Sequence, residues 1–262
     1  MVQLNPANFN RSVANLADLG YVVIPELLGA TEVNDLYNAF DKVRMRSAVH
    51  HVANERGLVR DERFVHLLTK PALLGVLRRV IGEDVQLLCY DAVESEAHAK
   101  KGPDWHVDMT LYSDPTCVVQ TGIYLQNMTD EAGPLYVVPG SHKWNRAPKH
   151  GPEHAADTSL DGAVKVNITA GSAVVFDARL WHSGSRNETD RLRRVLLAYF
   201  GHYWMKRLDE YYGTPLPAYI AQSTDPMIRQ LFGIDSTVPS VHSGYGPNDN
   251  YASPSPQEDS PR

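Results

Sequence analysis

Cysteine is nearly absent from the 262-residue sequence, with only Cys89 and Cys117, and there is no long run of Lys or Arg. Nor does any stretch approach the ~20 consecutive apolar residues of a membrane-crossing helix. Two cysteines are too few for a disulfide framework or a cysteine zinc site; both lie in apolar, strand-like runs and read as reduced core residues. The 25 Lys+Arg against 31 Asp+Glu leave a formal charge of −6, without the basic footprint that phosphate binding demands, so nucleic acid is excluded as a partner. The N-terminus MVQLNPANFNR has neither the charged start nor the apolar core of a signal peptide, so the expectation is a cytoplasmic protein without membrane contact. What the chain does have is an apolar fraction of 43%, enough for one core, and 11 histidines. Imidazole is the commonest transition-metal ligand.

The first third, about residues 1–83, reads as helices around one strand. A helix over Asn10–Leu19 closes at Gly20, Tyr21–Ile24 has strand composition, and Thr31 is placed to cap a helix with Val33, Leu36, Tyr37, Phe40 and Val43 on one face. Another helix starts at Pro71 and stops at Gly82. Residues 84–202 then break into short β-rich runs: Val85–Ala92, Thr116–Asn127, Leu135–Val138, Ala163–Ile168, Ala173–Phe176 and Val195–Phe200. Many short strands separated by Gly, Pro, Asn and Asp predict a mainly β protein with flanking helices, closed as an antiparallel jelly roll. Residues 203–235 read as a helical end to a single domain spanning 1–235, and 236–262, rich in Ser and Pro, as a flexible tail. A homodimer through an open sheet edge or the C-terminal helices is compatible with this layout.

The chemistry centres on Trp105-His106-Val107-Asp108. In an extended segment, residues two apart project to the same face, so His106 and Asp108 can bind one ion. His182 lies 74 positions beyond Asp108 (182 − 108), directly after the strand-like Ala173–Phe176. Two imidazoles and one carboxylate on one face of a metal form the facial triad of non-haem Fe(II) oxygenases. The same donors also suit a hydrolytic zinc site. Arg193 opens the next strand-like run, where its guanidinium can pair bidentately with the distal carboxylate of a metal-chelating keto acid. Arg194 points the opposite way and reads as solvent-exposed.

Three stretches carry a resemblance to a known family: WHVD at Trp105–Asp108, GPLYVVPGSHK at Gly133–Lys143, and WHSGSRNETDRLRRVLLAYF at Trp181–Phe200. In their order and spacing the sequence resembles the phytanoyl-CoA dioxygenase family of Fe(II)/2-oxoglutarate-dependent oxygenases. The resemblance implies a double-stranded β-helix, a cupin-like jelly roll, with iron on His106, Asp108 and His182 and the 2-oxoglutarate C5 carboxylate on Arg193. It also implies co-substrate contacts near Tyr124, with Gln120 on the same strand face. Where members often place a hydroxyl residue two after the second histidine, this chain has Gly184 between Ser183 and Ser185.

The cofactors so implied are Fe(II), 2-oxoglutarate and O2, with succinate and CO2 as co-products. Asp108 occupies the position that related halogenases leave to Ala or Gly, which argues against halogenation. Hydroxylation of a small organic molecule, a secondary metabolite rather than an acyl-CoA, is the expected outcome. Desaturation, cyclisation, epimerisation and endoperoxidation use the same triad. A zinc hydrolase and a non-catalytic jelly-roll binding protein are the readings from other classes. Expected pocket walls are Tyr90, Met109, Leu111 and Tyr112, the loop 47–63, and Tyr203, Trp204, Tyr211 and Tyr212, while His142 reads as a turn-stabilising residue.

Overall fold

Period-two burial along the middle of the chain is satisfied by two antiparallel sheets in a computed structural model that describes residues 14–45, 50–99, 104–110, 116–148, 160–207 and 215–234. Numbered in chain order, the strands are β1 (Tyr21–Ile24), β2 (His50–Asn54), β3 (Val85–Ser95), β4 (Val118–Tyr124), β5 (Leu135–Val137), β6 (Val164–Lys165), β7 (Ala173–Asp177), β8 (His182–Gly184) and β9 (Arg193–His202). The larger sheet has the order β1-β7-β4-β9-β3-β2 and the smaller β6-β5-β8. Every pairing is antiparallel.

Alternation divides the large sheet into two faces. Val175, Val119, Ile123, Leu196, Ala198, Leu87 and Tyr90 join the helices in one core. Val174, Phe176, Tyr124 and Val195 turn the other way, toward Leu135 and Val137 of the small sheet. The helix Ala30–Val43 buries Val33, Leu36, Ala39, Phe40 and Val43, and the helix Pro71–Val80 buries Leu73, Leu74, Val76 and Leu77. Pro71 takes a first-turn position and Gly82 follows the helix at φ +128°, so both helix signals hold.

Four expectations change. The cap of the helix Ala30–Val43 is Gly29, not Thr31: Gly29 N–H donates to Glu32 Oε2 at 3.0 Å, placing Thr31 inside the first turn. The run Ala163–Ile168 yields only the two residues of β6, an edge strand paired through Tyr136 and Val137 alone. The strand β2 has no counterpart in the sequence reading, because HHVAN lacks apolar alternation and pairs only as an edge. Arg194 is buried, because the face opposite Arg193 is covered by a helix rather than by solvent. Its Nε donates to Glu94 Oε2 at 3.0 Å, Nη2 to Asp41 Oδ1 at 2.6 Å and Nη1 to Tyr37 O at 2.8 Å, while Glu94 also accepts from Arg44 at 2.5 Å.

Among the described residues no helix is long and apolar enough to cross a membrane. Cys89 and Cys117 are half-buried rather than core, and no disulfide joins them. The stretch 236–262, Leu111, Tyr112, Tyr211 and Tyr212 lie outside the described residues.

Candidate metal centre

The segment holding His106 runs antiparallel to β8. His106 N–H donates to His182 O and His182 N–H to His106 O, both at 3.0 Å. This reciprocal pair brings the two imidazoles to a centroid separation of 4.2 Å. Asp108 follows two residues later on the same side, and its Oδ1 is 3.5 Å from Nε2 of both histidines. One ligand atom from each of the three residues lies within 4.8 Å of the others.

Both rings are fixed from behind. His106 Nδ1 donates to Asp104 O at 2.7 Å and His182 Nδ1 to Leu180 O at 2.9 Å, which leaves each Nε2 as the lone-pair nitrogen directed inward. Asp108 Oδ2 is buried without a hydrogen-bond partner. A buried carboxylate with one oxygen 3.5 Å from two inward imidazole nitrogens and the other lacking a partner among the described residues is costly without a cation, so the donor set fits a divalent metal.

Electrostatics agree with ligand roles for Asp108 and His182. Burial alone would raise the Asp108 carboxyl, but His182 and His106, with the Tyr199 phenol, reverse this and hold it below the usual carboxylate range. Burial, with His106 adding to it, outweighs Asp108 and pulls His182 below the ordinary imidazole value, favouring the neutral form that binds a metal. Burial also opposes charge on His106, yet its bonds to Asp108 and Asp104 raise it overall. Burial drives the Tyr199 phenol strongly upward, with Asp108 adding to the shift, so it remains protonated.

Arg193 is buried at 8% exposure on the face shared with Tyr124 and Val195. Its Nη1 donates to Gly133 O and, at 3.1 Å, to Ser185 O, while Nε has no partner among the described residues. Tyr124 stands close enough for the two to influence each other: burial raises the phenol to about 12 and Arg193 draws it down. Its ring lies along its own strand over Gly122, where a Cβ would come within 3.1 Å of it. Gln120 is buried on the same strand, opposite Tyr199 on β9 and Phe176 on β7, and so faces the inter-sheet space. The Ser183 hydroxyl donates to Gly184 O and that of Ser185 to Pro134 O.

Other expected residues fall elsewhere. Tyr90 is a correction: pairing with Ala198 puts it on the helix-covered face, where its hydroxyl donates to Phe64 O at 2.9 Å. The residues of β3 that share a face with Tyr199 are Cys89, Asp91, Val93 and Ser95, of which Cys89 and Asp91 pair nearest to it. Met109, like Tyr199, packs against the cluster of Leu88, Val118 and Ala178, and Trp204 is exposed, stacked on His202. Trp105 and Trp181 pack together with Val138 on the far side of the small sheet. His142 is buried beneath the chain's first described helical turns, with Nε2 3.2 Å from Ala17 O. Sequence reading missed Tyr199, although period-two alternation from Arg193 through Val195 and Leu197 places it on the site's face.

Residues 17–195 match the family model described as phytanoyl-CoA dioxygenase. Dioxygenase af480 of Aspergillus fumigatus is 25% identical over 263 residues, which cover 91% of this chain and 79% of that one. The epimerase SnoN, solved in complex with Fe3+, alpha ketoglutarate and nogalamycin RO, is similar in structure with a TM-score of 0.64 and 23% identity, covering 81% of this chain and 93% of SnoN. HygX from Streptomyces hygroscopicus, solved with nickel and 2-oxoglutarate bound, gives a TM-score of 0.64 at 17% identity, covering 78% of this chain and 90% of HygX. At these identities the structural likeness concerns the fold.

Proposed function

The chain belongs to the phytanoyl-CoA dioxygenase family, and on that premise we propose that it is an Fe(II)- and 2-oxoglutarate-dependent oxygenase acting on a C–H bond of a small organic molecule. The observation that carries this reading is the convergence of His106, Asp108 and His182, with Asp108 Oδ1 3.5 Å from Nε2 of both histidines. Iron bound there supplies activation of O2 coupled to decarboxylation of 2-oxoglutarate to succinate and CO2.

The chain's own residues supply placement. The inward Nε2 atoms of His106 and His182 and the Asp108 carboxylate would hold the metal, with room left for the keto acid and O2. Arg193 offers its unpartnered Nε–H to the distal carboxylate of the co-substrate, and the protonated Tyr124 phenol adds a neutral donor. Gln120 lies deeper on the same strand as a further polar contact. On the substrate side, Cys89 and Asp91 of β3 and Leu197 and Tyr199 of β9 line the half-buried inner face next to Asp108.

Hydroxylation is the simplest outcome, and a natural product of secondary metabolism the substrate class we favour. The likeness to an epimerase crystallised with nogalamycin RO supports the substrate class and keeps epimerisation as the second outcome. The zinc-hydrolase and binding-protein readings lose their footing to family membership among dioxygenases. The test is anaerobic addition of Fe(II) and 2-oxoglutarate to the purified protein. A weak visible charge-transfer band, and succinate formation on admission of O2, are expected in the wild type and absent in His106→Ala, Asp108→Ala and His182→Ala. Protein that neither binds nor consumes 2-oxoglutarate refutes the proposal.

A further inference from the structure

We propose that the buried clamp of Asp177, Arg179 and Thr116 is a positioning device that sets the geometry of the metal centre through a single turn. The inference rests on the reading of His106, Asp108 and His182 as metal ligands. Asp177 is the last residue of β7 and is fully buried. Its carboxylate collects four donors. Arg179 N–H and Nε both reach Oδ1 at 2.8 Å, and Arg179 Nη2 and Thr116 Oγ1 both reach Oδ2 at 2.6 Å. Burial alone would raise the Asp177 carboxyl, but these bonds to Arg179 and Thr116 hold it below the usual range, so the pair is ionic.

The clamp fixes the turn from Asp177 to Leu180, which Leu180 N–H closes by donating to Asp177 O at 2.8 Å. Two carbonyls of this turn hold the candidate ligands. Ala178 O accepts from Asp108 N–H at 2.9 Å and from Met109 N–H at 3.0 Å, which places the carboxylate ligand's main chain. Leu180 O accepts from His182 Nδ1 at 2.9 Å, which sets the tautomer and tilt of that ring. One turn therefore determines where Asp108 starts and which way His182 faces, although the two ligands are 74 positions apart (182 − 108). His106 is tied in through its backbone pair with His182.

Stability is a poor explanation for this clamp. A buried ion pair contributes little over apolar residues of the same volume, because desolvation offsets the attraction. What an apolar pair cannot supply is the fork: two parallel bonds from one guanidinium and a third from the Arg179 backbone lock the turn at a defined angle. The residues behind metal ligands act in this way, and their loss weakens metal binding by about 10–100-fold.

The test uses Co(II), whose visible d–d bands report coordination geometry, titrated into the metal-free full-length protein, together with the melting temperature of that protein. In Asp177→Asn/Arg179→Met both charges vanish together, so no lone charge remains buried. The expected result is a near wild-type melting temperature, Co(II) affinity reduced by roughly 10–100-fold and altered d–d bands. Arg179→Lys, which keeps the charge without the fork, is expected to fall between the two. Wild-type affinity and bands in the double variant overturn the inference, whether or not melting falls, since a merely structural role moves melting alone. If the double variant does not fold, Thr116→Val decides: a smaller loss of affinity with shifted bands supports positioning, and an unchanged titration overturns it. His106→Ala separates the two layers. Wild-type protein that binds Co(II) no better than His106→Ala refutes the metal-site reading itself, whereas a His106→Ala defect beside normal clamp variants refutes only the clamp.

Discussion

Replacing Arg193 by Met should separate co-substrate binding from metal binding. The guanidinium has five N–H donors. Nη1 serves Gly133 O and Ser185 O, while the buried Nε–H has no partner among the described residues. A dicarboxylate arriving at this point satisfies an orphaned donor and gains a charge-assisted pair with a cation that is only 8% exposed. Removing one partner of such a desolvated pair costs about 2–5 kcal/mol, and at 1.4 kcal/mol per tenfold this is roughly 30- to 4,000-fold in Kd. Gly133 O and Ser185 O lose their donor in the variant but can accept water, so we expect a value near the middle, about 300-fold. The assay is titration of the anaerobic Fe(II) protein with 2-oxoglutarate, read by the charge-transfer band, beside a Co(II) titration without keto acid. Co(II) affinity should stay at its wild-type level. A rise in the 2-oxoglutarate Kd of less than about threefold would refute the assignment and show that another cation holds the distal carboxylate.

Three further outcomes follow from the packing. Gly133 sits at φ +79°, and a Cβ there would press on Arg193 Nη1 and lie 2.7 Å from Ser185 O, so Gly133→Ala should cost about 1–3 kcal/mol and raise the KM for 2-oxoglutarate. An unchanged KM would mean that Arg193 relaxes freely. Burial, outweighing the nearby Asp177, lowers the His142 pKa from its ordinary 6.5, so the unfolded chain takes up a proton that the folded chain resists; stability is complete above 6.5 and falls below it, by at most about 1.4 kcal/mol per pH unit. Urea denaturation at pH 7.5 and 5.5 should show this slope in the wild type and a shallower one in His142→Asn; equal slopes would contradict the assignment. Arg194→Met leaves Glu94 to Arg44 alone and should cost about 3 kcal/mol, or a fall of roughly 6–12 °C in Tm by circular dichroism. No measurable fall would show that the Arg44 pair suffices.

How far the sequence revealed the site depended on which signals are local. The convergence of His106, Asp108 and His182 was legible because two-residue spacing and a strand end need no tertiary information. Arg193 could be placed at a strand start, and Tyr124 and Gln120 came from family resemblance. Arg194 was misread because alternation assigns a face but not what covers it; the Ala30–Val43 helix, distant in sequence, turns that face into core. Tyr90 went wrong for the same reason, one residue from Asp91 and on the wrong side of β3. The Asp177–Arg179–Thr116 cluster was invisible because its meaning lies in backbone carbonyls, which every residue carries. The edge strand β2 escaped because its pairing, not its composition, makes it a strand.

The mutual backbone bonds of His106 and His182 join positions that are 76 residues apart (182 − 106). During synthesis a ribosome-bound chain that has not yet reached β8 carries only His106 and Asp108 of the proposed triad, one donor short of a full set. On the proposed reading, metal capture would wait until the late strands have emerged and paired with the early ones.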